Sequence, residues 1–404
     1  MLRYLHSGFN TLLKRPKAPS HSEFLGTKPL STNKILELFT GSGGIVSAAV
    51  IALGFLVATL ILLVIGRNPS GMYQAILQVV SGFDSRRGTW NTRYVGEWLV
   101  SSVPLILCGL SMGFAARSGL FNIGAEGQYI AGLTAAQLMA FYFPPVPVLH
   151  WVAAVLAAIF AGAAWGGIAG FFKARFRVSE VVATIMMNYI ALFAHRLVTM
   201  GIPGSNTFRT PDFHLTASLS SAALASITNG SRLNYGLWFT AASVFIYWLI
   251  MEKTTLGYSL RAAGFNRDAA FYAGMPVNLN ITSSMAIAGA FAGLAGASVS
   301  LGVFTNGRVL AGFDNYGFDG IAVALGGNCT SIGITLVGLL FGMLKSAQPL
   351  MQSRQIPREI TSIIMGLVVV FISLRGGILI FIEWRLREKL RRNNSHNAKD
   401  GAGS

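Results

Sequence analysis

Residues 121–128 read Phe-Asn-Ile-Gly-Ala-Glu-Gly-Gln and open a long apolar stretch. One carboxylate (Glu126) and two amides (Asn122 and Gln128) share about one and a half helical turns there. On insertion scales an ionised side chain at the centre of a membrane helix costs roughly 2.5–3.5 kcal/mol. Such a cluster must therefore face protein, water or a solute path. Its chemistry is hydrogen bonding, and two uses are open. The groups can line the path of a polar solute, or they can cap and tie helix ends. Asn122 suits an N-cap, and Glu126 falls in the first helical turn, where a carboxylate is favoured.

Other polar residues interrupt apolar stretches farther on. Asn188 can hydrogen-bond a heterocycle or a sugar hydroxyl, or join two helices. Phe318 and Asp319 precede Gly326-Gly327-Asn328, and path-lining and structural roles are both open for them. Glu180 follows a basic loop, which predicts a salt bridge to Arg175 or Arg177. His195 and Arg196 stand near the end of an apolar run, which predicts polar tips snorkelling to an interface. The six histidines are scattered without metal-ligand spacing. Cys108 and Cys329 have no motif partner and read as small buried side chains. No Ser-His-Asp arrangement is discernible. These residues predict a non-enzymatic chain without metal or cofactor.

The elements that hold these groups are membrane helices. The chain has 404 residues, 53% hydrophobic and only 11% charged, where a soluble domain has about 25% charged. Apolar runs of about 20 residues match a bilayer. The fold expectation is an all-α polytopic membrane protein with about ten transmembrane or re-entrant helices. The net charge of +16 fits the excess of Lys and Arg in cytoplasmic segments, not nucleic-acid binding. Residues 1–44 read as a cytoplasmic N-terminal tail, 45–375 as the membrane domain and 376–404 as a basic cytoplasmic C-terminal tail. The first apolar run starts too far in for a signal peptide.

Expected spans include Ile45–Gly66, Glu97–Ala116, Asn122–Phe143, Val148–Phe172, Val178–Met200, Asn234–Met251, Leu279–Phe304 and Thr361–Leu374. Gly162, Gly166 and Gly170 form one small-residue stripe, and Gly289, Gly293 and Ala297 another; such stripes permit close helix approach. Counting crossings gives nine and puts the basic tail outside. One more crossing within 313–350, or broken helices around Gly326-Gly327, returns both termini to the inside.

Residues 252–278 form a polar cytoplasmic segment. Helical spacing puts Ala269, Ala270 and Ala273 on a small flat surface, and Gly274 can stop a helix. Arg261, Arg267 and Asp268 add charge. The segment is either a solvated connection or a short helix that docks into a groove on a partner.

Asp268-Ala-Ala-x-x-x-Gly274 is similar to the Glu-Ala-Ala-x-x-x-Gly coupling loop of ABC-importer permeases, with Asp for Glu and without the downstream Ile and Leu-Pro. Longer stretches are more specific: Pro104-Leu-Ile-Leu-x-Gly-Leu110, Phe121–Gln128, Ser179-Glu-Val-Val-Ala-Thr-Ile-Met-Met-Asn188, Arg261-Ala-Ala-Gly-Phe-Asn266 and Gly317-Phe-Asp-Gly-Ile-Ala-Val-Ala-Leu-Gly326. In this order they resemble the branched-chain amino acid permease-like family that serves nucleosides and simple sugars, its nucleoside members most of all.

The resemblance implies a multi-pass plasma-membrane permease subunit. Its implied partners are a second permease, identical or homologous, a pair of cytoplasmic ATPase subunits, and an external substrate-binding protein or lipoprotein. Coupling would fall to Arg261, Gly264, Asn266, Asp268, Ala269, Ala270 and Gly274. The expected solute path runs past Asn122, Glu126, Gln128, Asn188, Phe318, Asp319 and Asn328. Nowhere does Gly-x4-Gly-Lys-Ser/Thr occur, so ATP hydrolysis is expected on another chain. The sparse intramembrane charge suits a neutral solute. Ribose, riboflavin or a branched-chain amino acid are the alternative cargoes, and an ion-driven transporter the alternative class.

Overall fold

A computed structural model describes residues 43–84 and 87–373; most of the expected N-terminal tail and all of the C-terminal tail lie outside them. By Cα packing the chain divides into residues 1–49, of which only the start of one helix is described, and residues 50–404.

In order, the elements are α1 (Gly43–Val64), α2 (Ser70–Ser81), a ribbon of β1 (Phe83–Asp84) and β2 (Thr89–Trp90), α3 (Arg93–Arg117), α4 (Ala125–Tyr142), α5 (Leu149–Phe176) and α6 (Glu180–Met200). Then come β3 (Arg209–Asp212), α7 (Ala222–Ile227), α8 (Gly236–Trp248), a π-turn over Leu249–Lys253, α9 (Thr255–Phe265) and α10 (Arg267–Tyr272). The last are α11 (Val277–Val303), β4 (Asn306–Arg308), α12 (Tyr316–Gly326), α13 (Ser331–Gln352) and α14 (Glu359–Ser373). Antiparallel pairing of β3 with β4 ties the two loops together.

Five of these helices (α3, α5, α6, α11 and α13) are long and apolar enough to cross a membrane. The most apolar window is 83% buried in α3 and 78% in α11, but only 33% in α5 and 28% in α6. Apolar on all sides, α3 and α11 are therefore inner helices, while α5 and α6 turn residues such as Phe160, Phe193 and Leu197 outward, as a lipid-facing surface requires.

Lipid tails are as apolar as leucine, so helices in a bilayer associate by close packing. The two small-residue stripes pack against each other. A Cβ built on Gly162 would stand 2.7 Å from the Cα of Gly293, and one on Gly170 2.9 Å from the Cα of Thr282. Rising numbers on α5 thus meet falling numbers on α11, so the helices run antiparallel. On a third side, a Cβ on Gly132 would reach the carbonyl carbon of Gly293 at 2.8 Å. Gly293 is thus the point where α4, α5 and α11 touch.

The C-terminal part breaks where the glycine pair predicts. After α12 the chain turns through Gly327–Thr330, with Asn328 at φ 53° and Cys329 at φ 51°. Gly109 of α3 faces both Val323 of α12 and Ile334 of α13, Gly338 faces Ile106, and Gly342 faces Ser102. α13 therefore returns antiparallel along α3 after α12 has crossed it. Several expected boundaries shift: α3 starts at Arg93, four residues before the predicted Glu97, and α5 runs to Phe176, four past Phe172. The span predicted over Asn234–Met251 ends its α-helix at Trp248 and continues as the π-turn. The helix predicted from Asn122 starts at Ala125, because the Asn122 side chain accepts the N–H of Gly124 at 3.1 Å and holds a turn there.

Candidate functional site

The polar cluster that opens α4 is a closed knot. Asn122 and Gln128 form a reciprocal amide pair: Asn122 Nδ2 donates to Gln128 Oε1 at 2.9 Å, and Gln128 Nε2 donates to Asn122 Oδ1 at 3.1 Å. Ser111 of α3 bonds both amides. Asn188 of α6 accepts the Gly127 N–H at 2.8 Å and donates to the Ile123 carbonyl at 3.1 Å. All four side chains are buried.

Glu126 is fully buried and reaches a different helix from its own. Its Oε1 accepts the N–H of Asn315 at 2.8 Å and its Oε2 that of Gly317 at 2.6 Å. The opening N–H groups of a helix have no intrahelical acceptor. Asn315 precedes α12 in a left-handed conformation, φ 66°, and its own side chain caps nothing. A carboxylate from α4 takes that place and adds negative charge where the helix dipole favours it.

Beside α12 lie two clefts. One, of about 450 Å³, is lined by Phe318, Asp319, Phe341, Lys345 and Asp314 among others. The other, of about 200 Å³, shares Asp314 and Lys345 and adds Arg232, Arg308 and Tyr316. Every charged group on them is paired. Arg308 holds Asp314 through two bonds of 2.5 and 2.8 Å, and the Tyr129 hydroxyl donates to the same carboxylate at 2.8 Å. Lys345 Nζ lies 2.6 Å from Asp319 and 4.6 Å from the centre of the Tyr316 ring. Arg232 grips Glu97 at 2.6 Å.

A third cluster gathers around α9 and α10. Glu252 receives Arg117 from the end of α3 at 2.6 Å and Arg261 from α9 at 2.8 Å. The Arg117 hydrogen bond, chiefly, holds the Glu252 carboxyl below its usual range. This clamp is therefore present above the ordinary carboxylate pKa and is lost only as pH falls through the lowered one. Gly119, at φ 72°, and Gly264 meet backbone to backbone: a Cβ on Gly119 would stand 2.7 Å from the Gly264 Cα. Asn266 caps α10 by accepting the Ala269 N–H at 3.0 Å. Gly274, at φ 78°, ends it as expected, with its N–H bonded to the Phe271 carbonyl.

The expected flat alanine surface needs correction. Ala270 is buried, and the outer face carries Phe265, 96% exposed, Phe271 and Tyr272, with Asp268 and Ala269.

Residues 94–373 match the family model described as branched-chain amino acid transport system / permease component. The chain belongs to this permease family. It is 41% identical to the guanosine ABC transporter permease protein NupP of Bacillus subtilis over 84% of this chain and 95% of that one. Identity is 36% to the nucleoside ABC transporter permease protein NupB of Lactococcus lactis, over 82% and 91%. It is 33% to a glucose ABC transporter permease protein of Haloferax volcanii, over 68% and 75%. No solved structure matches.

Within this membrane permease the anticipated path residues fall into separate places. Phe318 and Asp319 share the larger cleft. Asn122, Gln128 and Asn188 sit in the knot, and Glu126 links the knot to α12. Asn328 is exposed at the α12–α13 turn. Two side-chain expectations fail. Glu180 pairs with Lys173, in the last turn of α5, and not with Arg175 or Arg177. His195 does not snorkel: it is buried, with Nδ1 2.8 Å from the Thr134 hydroxyl and Nε2 3.1 Å from the Arg308 carbonyl, because the β4 loop folds over it.

Sequence reasoning passed over Arg308, Asp314 and Lys345. Lys345 carried a usable signal, since a lone ammonium inside an apolar helix marks a functional candidate. Arg308 ends the three-residue strand β4 and Asp314 lies on the loop after it, and neither carried one.

Proposed function

We propose that this chain is a permease subunit of an ATP-binding-cassette importer that moves nucleosides inward across the plasma membrane. The similarity to guanosine and nucleoside permeases over most of both chains supports the cargo. The geometric observation that carries the reading is the cleft lining, whose charged groups are each matched by an opposite one. Such a lining offers donors and acceptors without net charge, which suits a polar, uncharged solute. An unpaired charge there would instead select an ion.

A second permease subunit, identical or homologous, two cytoplasmic ATPase subunits and an external binding protein or lipoprotein complete the machine. Both termini are cytoplasmic. The exposed rings of Phe271 and Tyr272 on the short capped helix α10, with Phe265 at the end of α9 beside it, suit insertion into a groove on the ATPase. Arg261, Gly264, Asn266, Asp268, Ala269, Ala270 and Gly274 build and hold that knuckle.

Uptake of labelled guanosine, adenosine and uridine, with and without the chain, tests the function. Chain-dependent uptake is expected to stop when ATP is depleted and to survive collapse of the ion gradient. It is also expected to ignore excess ribose, riboflavin and leucine. Competition by one of these reassigns the cargo, and dependence on the gradient overturns the class.

Coupling has its own test. Proline cannot adopt the positive φ of Gly274, and Asp268→Arg reverses the charge at the start of α10. Both variants are expected to remain in the membrane while uptake drops at least tenfold. Normal uptake in both would refute the coupling role of this segment.

A further inference from the structure

The paired charges on the larger cleft differ in how they are held. Asp314 is fastened by Arg308 and Tyr129 together. Asp319 and Lys345, one from α12 and one from α13, have each other at 2.6 Å and remain 25% and 23% exposed. A carboxylate has two acceptor oxygens and an ammonium three N–H donors. The contact with Lys345 engages one Asp319 oxygen, Oδ2. The pair therefore presents an acceptor and donors side by side on the cleft wall, with Phe318 and Phe341 on the same lining.

A vicinal diol matches that arrangement. One hydroxyl donates to the carboxylate while its neighbour accepts from the ammonium, and the ion pair need not separate. Partial burial strengthens both bonds relative to water. An aromatic ring on the same wall supplies an apolar face for a flat heterocycle. At about 450 Å³ the cleft is within the usual size of small-molecule sites, about 300–1,000 Å³. We propose that Asp319 and Lys345 read the 2′,3′-diol of the transported nucleoside, with Phe318 beside its base. This deepens the nucleoside reading above and rests on it.

The test uses cells that carry the full chain with its partner subunits, labelled guanosine as substrate, and guanosine, 2′,3′-dideoxyguanosine or free ribose as competitor. Without its hydrogen bonds to these two charged groups, the dideoxy compound is expected to compete at least about tenfold less well in the unaltered chain. In Asp319→Asn the KM for guanosine is expected to rise about tenfold, the preference for the diol to fall to about twofold, and the maximal rate per chain in the membrane to stay within about threefold. Lys345→Gln should weaken the preference in the same direction, and Asp319→Glu should keep it.

Equal competition by guanosine and the dideoxy compound in the unaltered chain overturns the proposal without any variant. So does an unchanged preference in Asp319→Asn, or a loss of maximal rate alone. Free ribose competing as well as guanosine reassigns the cargo, and the proposal falls with the nucleoside reading. If the unaltered chain imports no nucleoside, the nucleoside reading itself fails; if it imports nucleosides but Asp319→Asn keeps the preference, only the diol-reading pair fails.

Discussion

Glu126→Ala is expected to remove most of this chain from the membrane, not merely to slow transport. The carboxylate accepts the buried N–H of Gly317 and the part-buried N–H of Asn315 at the start of α12, and nothing else described takes them. A buried donor left without a partner, as at Gly317, costs about 1–3 kcal/mol, and the part-buried Asn315 donor adds a smaller amount. That is a large part of the 5–15 kcal/mol typical of whole proteins. Glu126→Gln keeps one carbonyl acceptor and should lose about half as much. The check is the amount of full-length chain in extracted membranes, with its thermal unfolding midpoint, compared with uptake per chain. A normal level of Glu126→Ala combined with lost uptake would show that the carboxylate serves the solute path instead of the fold.

Gly293→Leu should be at least as damaging, for the opposite reason. Here nothing is removed; there is no room. A Cβ at this position would stand 3.1 Å from the Cα of Gly162 and 3.1 Å from the carbonyl carbon of Ala158, with the Ala158 oxygen closer still. These obstacles are backbone, which cannot rotate aside. Overpacking a core costs 1–3 kcal/mol where side chains can adjust, and prying apart α5 and α11 should cost more than about 3 kcal/mol by the same reasoning. Size-exclusion chromatography of the extracted chain should show aggregate in place of a single peak. Gly167→Leu is the control, since a Cβ there meets only the Ala286 Cβ, at 3.6 Å. A single sharp peak for Gly293→Leu would contradict the close approach.

Both sites show how far residues alone could be read. The two small-residue stripes and the break at Gly326-Gly327 are local patterns, and the structure places them as anticipated. Which stripe meets which is a long-range fact, and no periodicity encodes it. Glu126 was recognisable as costly and as fit for a helix start, but the helix it serves begins 190 residues downstream, at Tyr316. Spacing put Ala270 on a docking face, whereas packing turned it inward and left Phe265 and Phe271 outside. The clefts were half legible. Phe318 and Asp319 stood out beside the glycine break, whereas Arg308 and Asp314 come together only when the loop after β4 closes on α4.

The contact between Gly119 and Gly264 has a mechanical consequence. Side chains between two moving parts act as soft padding, since their rotamers shift before the backbone does. Here no such padding exists, and the Arg117–Glu252–Arg261 clamp braces the same junction. If this segment couples as proposed, a push on it is delivered to α3 as by a gear without play, and α3 is the helix that α12 crosses and α13 runs along. On that proposal, larger residues at either glycine introduce slack or jam the train, and two missing methyl groups would hold the stroke of the engine and the opening of the path in fixed ratio.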